Sequence, residues 1–221
     1  GGGYFHNGLK DTIGHFDLFY RHVPDNGGYV IAAGLEQMVD YLNGLHFTEE
    51  DLDYLKSRGF ADDFLDYLRD FEFACDVWAI PEGTPVFPNE PVVHVRGPVI
   101  QAQFIETAML MLFNHQSLIA TKANRVVRAA EGRTVLEFGS RRAQGADAAI
   151  LGARAAYIGG CNATACTMSD RDFGVPATGT MAHSWIQMFD SEYEAFAAYC
   201  NMFPQNATLL VDTYDTLSSG I

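Results

Sequence analysis

A chain of 221 residues with 48% hydrophobic and 19% charged side chains has enough apolar content to bury a core, as one large domain or two modest ones, and too much to be disordered. Its 28 acidic side chains outnumber its 14 basic ones, and a net charge of −14 excludes the broad basic surface that a nucleic-acid backbone or an anionic membrane attracts. That balance still permits a small phosphorylated substrate, held by a local group of arginines and backbone N–H groups.

The chain opens on Gly1-Gly2-Gly3 without a Met and stops at Ser218-Ser219-Gly220-Ile221, so it reads as a piece of a longer protein cut at both ends. Phe16–Tyr20 alternates well enough for a strand, and a turn follows between Pro24 and Gly28. Leu35, Met38, Val39 and Leu42 recur at helical spacing. Thr48, with Glu50 and Asp51 after it, marks a helix start, and residues 62–71 form a short helix burying Phe64, Leu65 and Leu68. Pro81, Pro85, Pro88 and Pro91 separate short strands, among them Val92–Val95. Pro98 opens a long apolar helical region to Ala130, with a break expected near Asn114–Ser117. Its most apolar stretch, Val99–Leu112, is interrupted by Gln101, Gln103 and Glu106 and is no membrane span. Beyond Gly132 the order becomes strand (Thr134–Phe138), helix (Ala143–Ile158), strand (Val175–Ala182), helix (Glu192–Met202), strand (Thr208–Val211). Alternation of this kind belongs to a parallel α/β sheet or barrel, and three strands make only part of a barrel of about eight. The expected fold class is therefore α/β: an N-terminal α+β domain over residues 1–112, then a helical connector and the first part of an irregular α/β barrel over 113–221. Cys75, Cys161, Cys166 and Cys200 are too sparse for a disulfide scaffold and lack zinc-site spacing, as expected of reduced thiols in a cytoplasmic protein.

In parallel α/β folds the reacting groups gather at the carboxyl ends of the strands. The first expected strand ends in Ser140, Arg141 and Arg142, the second in Thr178, Gly179, Thr180 and His183, and the third in Asp212 and Asp215. Arginine forks bind carboxylate or phosphate, Gly179 lets backbone N–H groups approach an anion, and a histidine held by a carboxylate serves as base or nucleophile. The pairing expected from adjacent strands is His183 with Asp212. Taken singly, each residue also has a plain reading: solvated arginines, a structural histidine, an aspartate capping a turn. No dinucleotide-binding fingerprint and no P-loop is present. The residues alone lead to an α/β protein with an anion-handling site and no protein-held metal centre.

Glu137-Phe138-Gly139-Ser140-Arg141-Arg142-Ala143-Gln144-Gly145, Gly179-Thr180-Met181-Ala182-His183-Ser184-Trp185 and Leu210-Val211-Asp212-Thr213-Tyr214-Asp215-Thr216 resemble, in order, three motifs of the nicotinate phosphoribosyltransferases. Phe16–Arg21, Gly27-Gly28 and Pro81-Glu82-Gly83 resemble the N-terminal domain of the same family. The resemblance runs over essentially the whole chain. It implies a homodimer with active sites near the subunit interface. It also implies transfer of the phosphoribosyl group of phosphoribosyl pyrophosphate to nicotinate in NAD salvage, with Mg²⁺ and with ATP hydrolysis coupled through a phosphohistidine. By motif, His183 would be the phosphorylated histidine, Thr180 would contact nicotinate, and Arg141 with Ser140 would line the substrate pocket. Nicotinamide- and quinolinate-using relatives share the architecture and are the alternative, as is an inactive dimerising fragment.

Overall fold

The computed structural model describes residues 1–221 throughout, in two units, Gly1–Pro176 and Ala177–Ile221. The first begins with α1 (Gly2–His6) and β1 (Ile13–Phe19), then β2 (Val30–Ile31), α2 (Leu35–Asn43), α3 (Glu49–Ser57), α4 (Asp62–Arg69), β3 (Asp76–Ala79), β4 (Pro85–Val86) and β5 (Pro91–Pro98). It continues through α5 (Val99–Ala129), β6 (Leu136–Glu137), α6 (Ala146–Ile158), β7 (Ala163–Thr164) and α7 (Thr167–Phe173).

Strands β1, β5 and β3 form an antiparallel sheet with β5 in the middle. Alternation along β5 turns Val93 and Val95 to one face and His94 and Arg96 to the other. The valine face packs under the first half of α5 through Ala102, Ile105, Met109 and Phe113. Beside it, Phe64, Leu65 and Leu68 of α4 are buried with Leu52 of α3 and Ile100, as the helical spacing predicts. Thr48 caps α3: its hydroxyl accepts from Asp51 N–H while the Asp51 carboxylate accepts from Thr48 N–H, a reciprocal capping box.

The break expected at Asn114–Ser117 does not occur; α5 runs unbroken for 31 residues. The polar residues that looked like a breaker are a seam. Ser117 Oγ accepts from Ala33 N–H and donates to Ala33 O, both at 3.0 Å, and Thr121 Oγ1 accepts from Ile31 N–H at 2.9 Å. These hydroxyls satisfy backbone groups in and just after a two-residue strand that has a ladder on one side only. The second half of α5 then packs small residues against α6: Ala120 with Ala155, and Ala123 with Ala156.

Helix α6 joins β6 to β7, which run parallel with Glu137 opposite Thr164. The strand after α6 is thus Ala163–Thr164 and not Val175–Ala182. Two small residues carry no readable period. Residue 112, the last of the expected first domain, lies inside α5.

The second unit contains α8 (His183–Ile186), α9 (Glu192–Met202) and a single π turn at Thr216–Gly220. Met181, Ile186 and Ala195 form its buried centre, with Trp185, Phe189 and Leu210 against them. Ser191 caps α9 by accepting from Glu194 N–H at 3.3 Å. Neither Val175–Ala182 nor Thr208–Val211 forms a ladder, apart from an isolated bridge residue at Ala177. An apolar run becomes a strand only beside a hydrogen-bonding neighbour, and none runs along Thr208–Val211. Across the whole chain, no helix is long and apolar enough to cross a membrane.

Candidate functional site

Strand β6 stops at Glu137 because that side chain turns back on its own chain. One carboxylate oxygen accepts from Gly139 N–H, and the other accepts from the Thr164 hydroxyl at 2.6 Å. Thr164 is fully buried, and its Oγ1 in turn accepts from Cys166 N–H at 2.9 Å. Glu137 therefore ties the carboxyl ends of both parallel strands together and sets the turn that follows. A side chain at Gly139 would meet the Glu137 carboxylate at 2.8 Å, so glycine suits that step. Phe138, 44% exposed, stands between the strand and the turn.

The turn itself is one 3₁₀ turn, Ser140–Arg142, and Gly145 with φ of +111° leads it into α6. Arg141 and Arg142 are both exposed, and neither makes an ion pair. Ser140 and Arg142 line a cavity of about 220 Å³ with Glu137, Gly139, Ala148 and Gly152, whereas Arg141 lies outside it. The Ser140 hydroxyl is buried there without a hydrogen-bond partner. Chemically the turn offers two unpaired guanidinium forks, a free hydroxyl and an aromatic face at the end of a parallel strand.

Behind this turn, the middle of α6 is anchored by Arg154. Its guanidinium bonds Glu82 at 2.6 and 2.9 Å, Gln116 at 3.2 Å, and Glu36. Glu82 also accepts from Gly34 and Leu35 N–H at 2.6 and 3.1 Å, at the start of α2. Burial pushes the Glu82 carboxyl up, but the guanidinium and the two N–H groups outweigh it and hold the group below the usual carboxylate range. The sequence reading missed both Glu137 and Arg154. The available signals were an acid inside the apolar run Val135–Phe138 and an arginine among the small residues Gly152–Ala156.

Gly179, Thr180, His183 and Asp212 belong to the second unit. Gly179 and Thr180 are exposed, and the Thr180 hydroxyl donates to Met181 O at 3.3 Å. His183 opens α8 with its imidazole exposed. Its Nδ1 lies 3.1 Å from the Thr213 hydroxyl, and no bond joins it to Asp212. The expected His183–Asp212 pair is corrected to His183–Thr213, because the two strands meant to set the residues side by side do not pair. Asp215 takes the plain role of a cap. It accepts from Ser218 and Leu217 N–H at 2.8 and 3.1 Å, and those bonds hold its carboxyl below the usual range.

Residues 2–114 match the model of the nicotinate phosphoribosyltransferase (NAPRTase) N-terminal domain. A nicotinate phosphoribosyltransferase of Mycobacterium tuberculosis is 49% identical over 203 residues, covering 91% of this chain and 44% of its own length. The Bacillus subtilis nicotinate phosphoribosyltransferase is 43% identical over 219 residues, covering 99% of this chain and 44% of its own. The crystal structure of human nicotinic acid phosphoribosyltransferase superposes with a TM-score of 0.90 at 29% identity, over 100% of this chain and 54% of the human one. The chain thus spans less than half the length of the curated relatives it matches.

Proposed function

The chain belongs to the nicotinate phosphoribosyltransferase family, and from that membership we propose that the protein joins nicotinate to the phosphoribosyl group of phosphoribosyl pyrophosphate, a salvage step of NAD biosynthesis. The pyridine nitrogen lone pair forms the bond to the anomeric carbon as the bond to pyrophosphate breaks, and nicotinate mononucleotide results. The attacking nitrogen carries no proton, so the step asks for no strong base; it asks for cationic donors where negative charge grows on the leaving group. The unpaired forks of Arg141 and Arg142 and the Ser140 hydroxyl suit nicotinate carboxylate and phosphate; Gly179 and Thr180, in the second unit, are retained each by itself, Gly179 as a backbone approach to an anion and Thr180 as a contact to the pyridine substrate. The observation that carries this reading is identity of 43–49% to named relatives over nine-tenths or more of the chain; the 43% match, over 99% of the chain, contains all three motifs.

Under the same reading ATP phosphorylates His183. With Nδ1 donating to the Thr213 hydroxyl, Nε2 holds the free lone pair. It takes the γ-phosphoryl group as ADP leaves, and water later breaks the nitrogen–phosphorus bond. Asp212 stands next to Thr213 in the chain and is retained as a candidate for the same step. Nowhere do three acidic, thiol or imidazole side chains converge, so the residues present do not form a cage for Mg²⁺; the ion suits ligation by phosphate oxygens and water. A cytoplasmic homodimer, the division into residues 1–112 and 113–221, and completion of the parallel strands into an irregular barrel go with this reading.

The test is incubation of the full-length protein with ATP labelled in the γ-phosphate, then mapping of the acid-labile label. Label on His183, lost in His183→Ala together with coupled ATP hydrolysis while slow ATP-independent transfer persists, is the expected result. Label elsewhere refutes the histidine role, and absence of nicotinate mononucleotide formation by the unaltered protein refutes the activity.

A further inference from the structure

The sheet face opposite Val93 and Val95 carries a cluster that the proposed reaction does not use. Asp17, His94 and Trp78 stand in one row across β1, β5 and β3, and His15, Arg96 and Asp76 form the next row. His94 Nδ1 lies 2.7 Å from Asp17 Oδ1, and His94 Nε2 lies 3.3 Å from His15 Nδ1. A carboxylate only accepts, so Asp17 fixes the proton of neutral His94 on Nδ1 and leaves the Nε2 lone pair directed away from it. The two facing nitrogens are within hydrogen-bond distance, so in the metal-free protein His15 Nδ1–H donates to the His94 Nε2 lone pair, and an ion bound there takes the place of that proton.

We propose that His15 and His94 form a transition-metal site on this open face, taking one Cu²⁺ or Zn²⁺ ion between His15 Nδ1 and His94 Nε2. With metal–nitrogen bonds of about 2.05 Å and the 3.3 Å separation as base, the angle at the metal is roughly 107°, close to tetrahedral. Asp17 on the far nitrogen of His94 supplies the carboxylate–histidine–metal arrangement that fixes the tautomer and orients a ligating imidazole. His15 is exposed, so its ring can turn to aim its lone pair, with its proton moved to Nε2. The nearby cation, Arg96, which would oppose an ion, is paired with Asp76 at 3.3 Å. No third acidic, thiol or imidazole ligand converges on the pair, so water completes the shell. A site with two imidazoles and water ranks divalent ions by the general order of stability, in which Cu²⁺ stands above Zn²⁺.

The test is calorimetric titration of the tag-free protein with CuCl₂ and with ZnCl₂ in a buffer that does not chelate. One ion per chain, bound more tightly for Cu²⁺, is expected. His15→Ala and His94→Ala should each weaken binding at least tenfold, Asp17→Asn by about 10- to 100-fold, and His46→Ala not at all. His15→Gln, which keeps size and polarity, and metal-free thermal melts separate lost ligation from lost folding. No uptake by the unaltered protein, or uptake undiminished by His15→Ala and His15→Gln in folded protein, would overturn the proposal.

Discussion

Glu82 and Arg154, 72 residues apart in sequence, meet in a two-pronged ion pair with bonds of 2.6 and 2.9 Å. The carboxylate also caps the start of α2 and the guanidinium also reaches Glu36 and Gln116. One contact thus fastens α6 to the β3–β4 connection and to α2 at once. The Arg154 side chain is 10% exposed and that of Glu82 19%.

Removing one partner of this pair leaves a buried charge uncompensated. Arg154→Ala should cost about 3–5 kcal/mol in urea unfolding, whereas the double change Arg154→Met with Glu82→Met should recover part of the loss. A single change within about 0.5 kcal/mol of wild type would show that the pair is idle.

The same pair gives a pH dependence of known sign. The Glu82 carboxyl is depressed in the fold, so its stabilisation is present above the ordinary glutamate value of about 4.3 and is lost as pH falls through the folded value. Wild type should exceed Glu82→Gln in unfolding free energy at pH 7, and the gap should close towards pH 3. Taking the difference between the two proteins cancels the changing repulsion among other carboxylates. A gap that widens on acidification would contradict the assignment.

Thr121→Val keeps the shape of the side chain and strips its hydroxyl, leaving Ile31 N–H buried without a partner. A loss of about 1–3 kcal/mol is expected, with faster hydrogen exchange at the Ile31 amide. Exchange unchanged at that amide would mean that the seam has another acceptor.

Gly34 has φ of +108°, and a Cβ there would stand 2.6 Å from Leu112 O, a backbone atom of α5 that cannot swing aside. Gly34→Ala should therefore lower the melting temperature by several degrees, a cost of about 1–3 kcal/mol from backbone strain alone. An unchanged melt would show that α2 can pull away from α5 freely.

For the proposed chemistry, Thr213→Val should slow phosphorylation of His183 more than Asp212→Asn does, since the hydroxyl is the group on Nδ1. Likewise Arg141→Lys and Arg142→Lys keep charge but lose the planar fork, and a fall in kcat/KM of about tenfold or more is expected at whichever holds substrate. Rapid-quench labelling and steady-state assays in the full-length protein decide both orders.

Elements whose signal is local were readable from sequence. Thr48 and Asp51 satisfy each other within one turn, and Phe64, Leu65 and Leu68 face inward by helical period alone. The misreadings share one cause. Gln116 and Ser117 are polar because of Gln37, Arg154 and Ala33, partners about 40 to 80 residues away, and nothing nearby in the chain announces them. β7 is two small residues whose strand character comes from Glu137 and Leu136 beside it. At the candidate site, the Ser140–Arg142 turn follows its strand where the residue pattern ended that strand. Thr213 went unnoticed because the choice between neighbouring hydroxyl and carboxylate depends on how the chain rotates after Val211, which pattern does not record.

Helix α5 has a mechanical consequence. Thirty-one residues at 1.5 Å each make a beam about 46 Å long. The sheet rides on its front half and the βαβ turn on its rear half, and Ser117 and Thr121 latch the β2 region to its middle. No proline, glycine or π bulge interrupts it, so it has none of the usual joints at which a helix bends. Within Gly1–Pro176 the arginine turn and the sheet are thereby mounted on one girder. Any opening of that turn therefore comes from the short segments around it, such as Gly139 and Gly145, and not from flexing between sheet and βαβ unit.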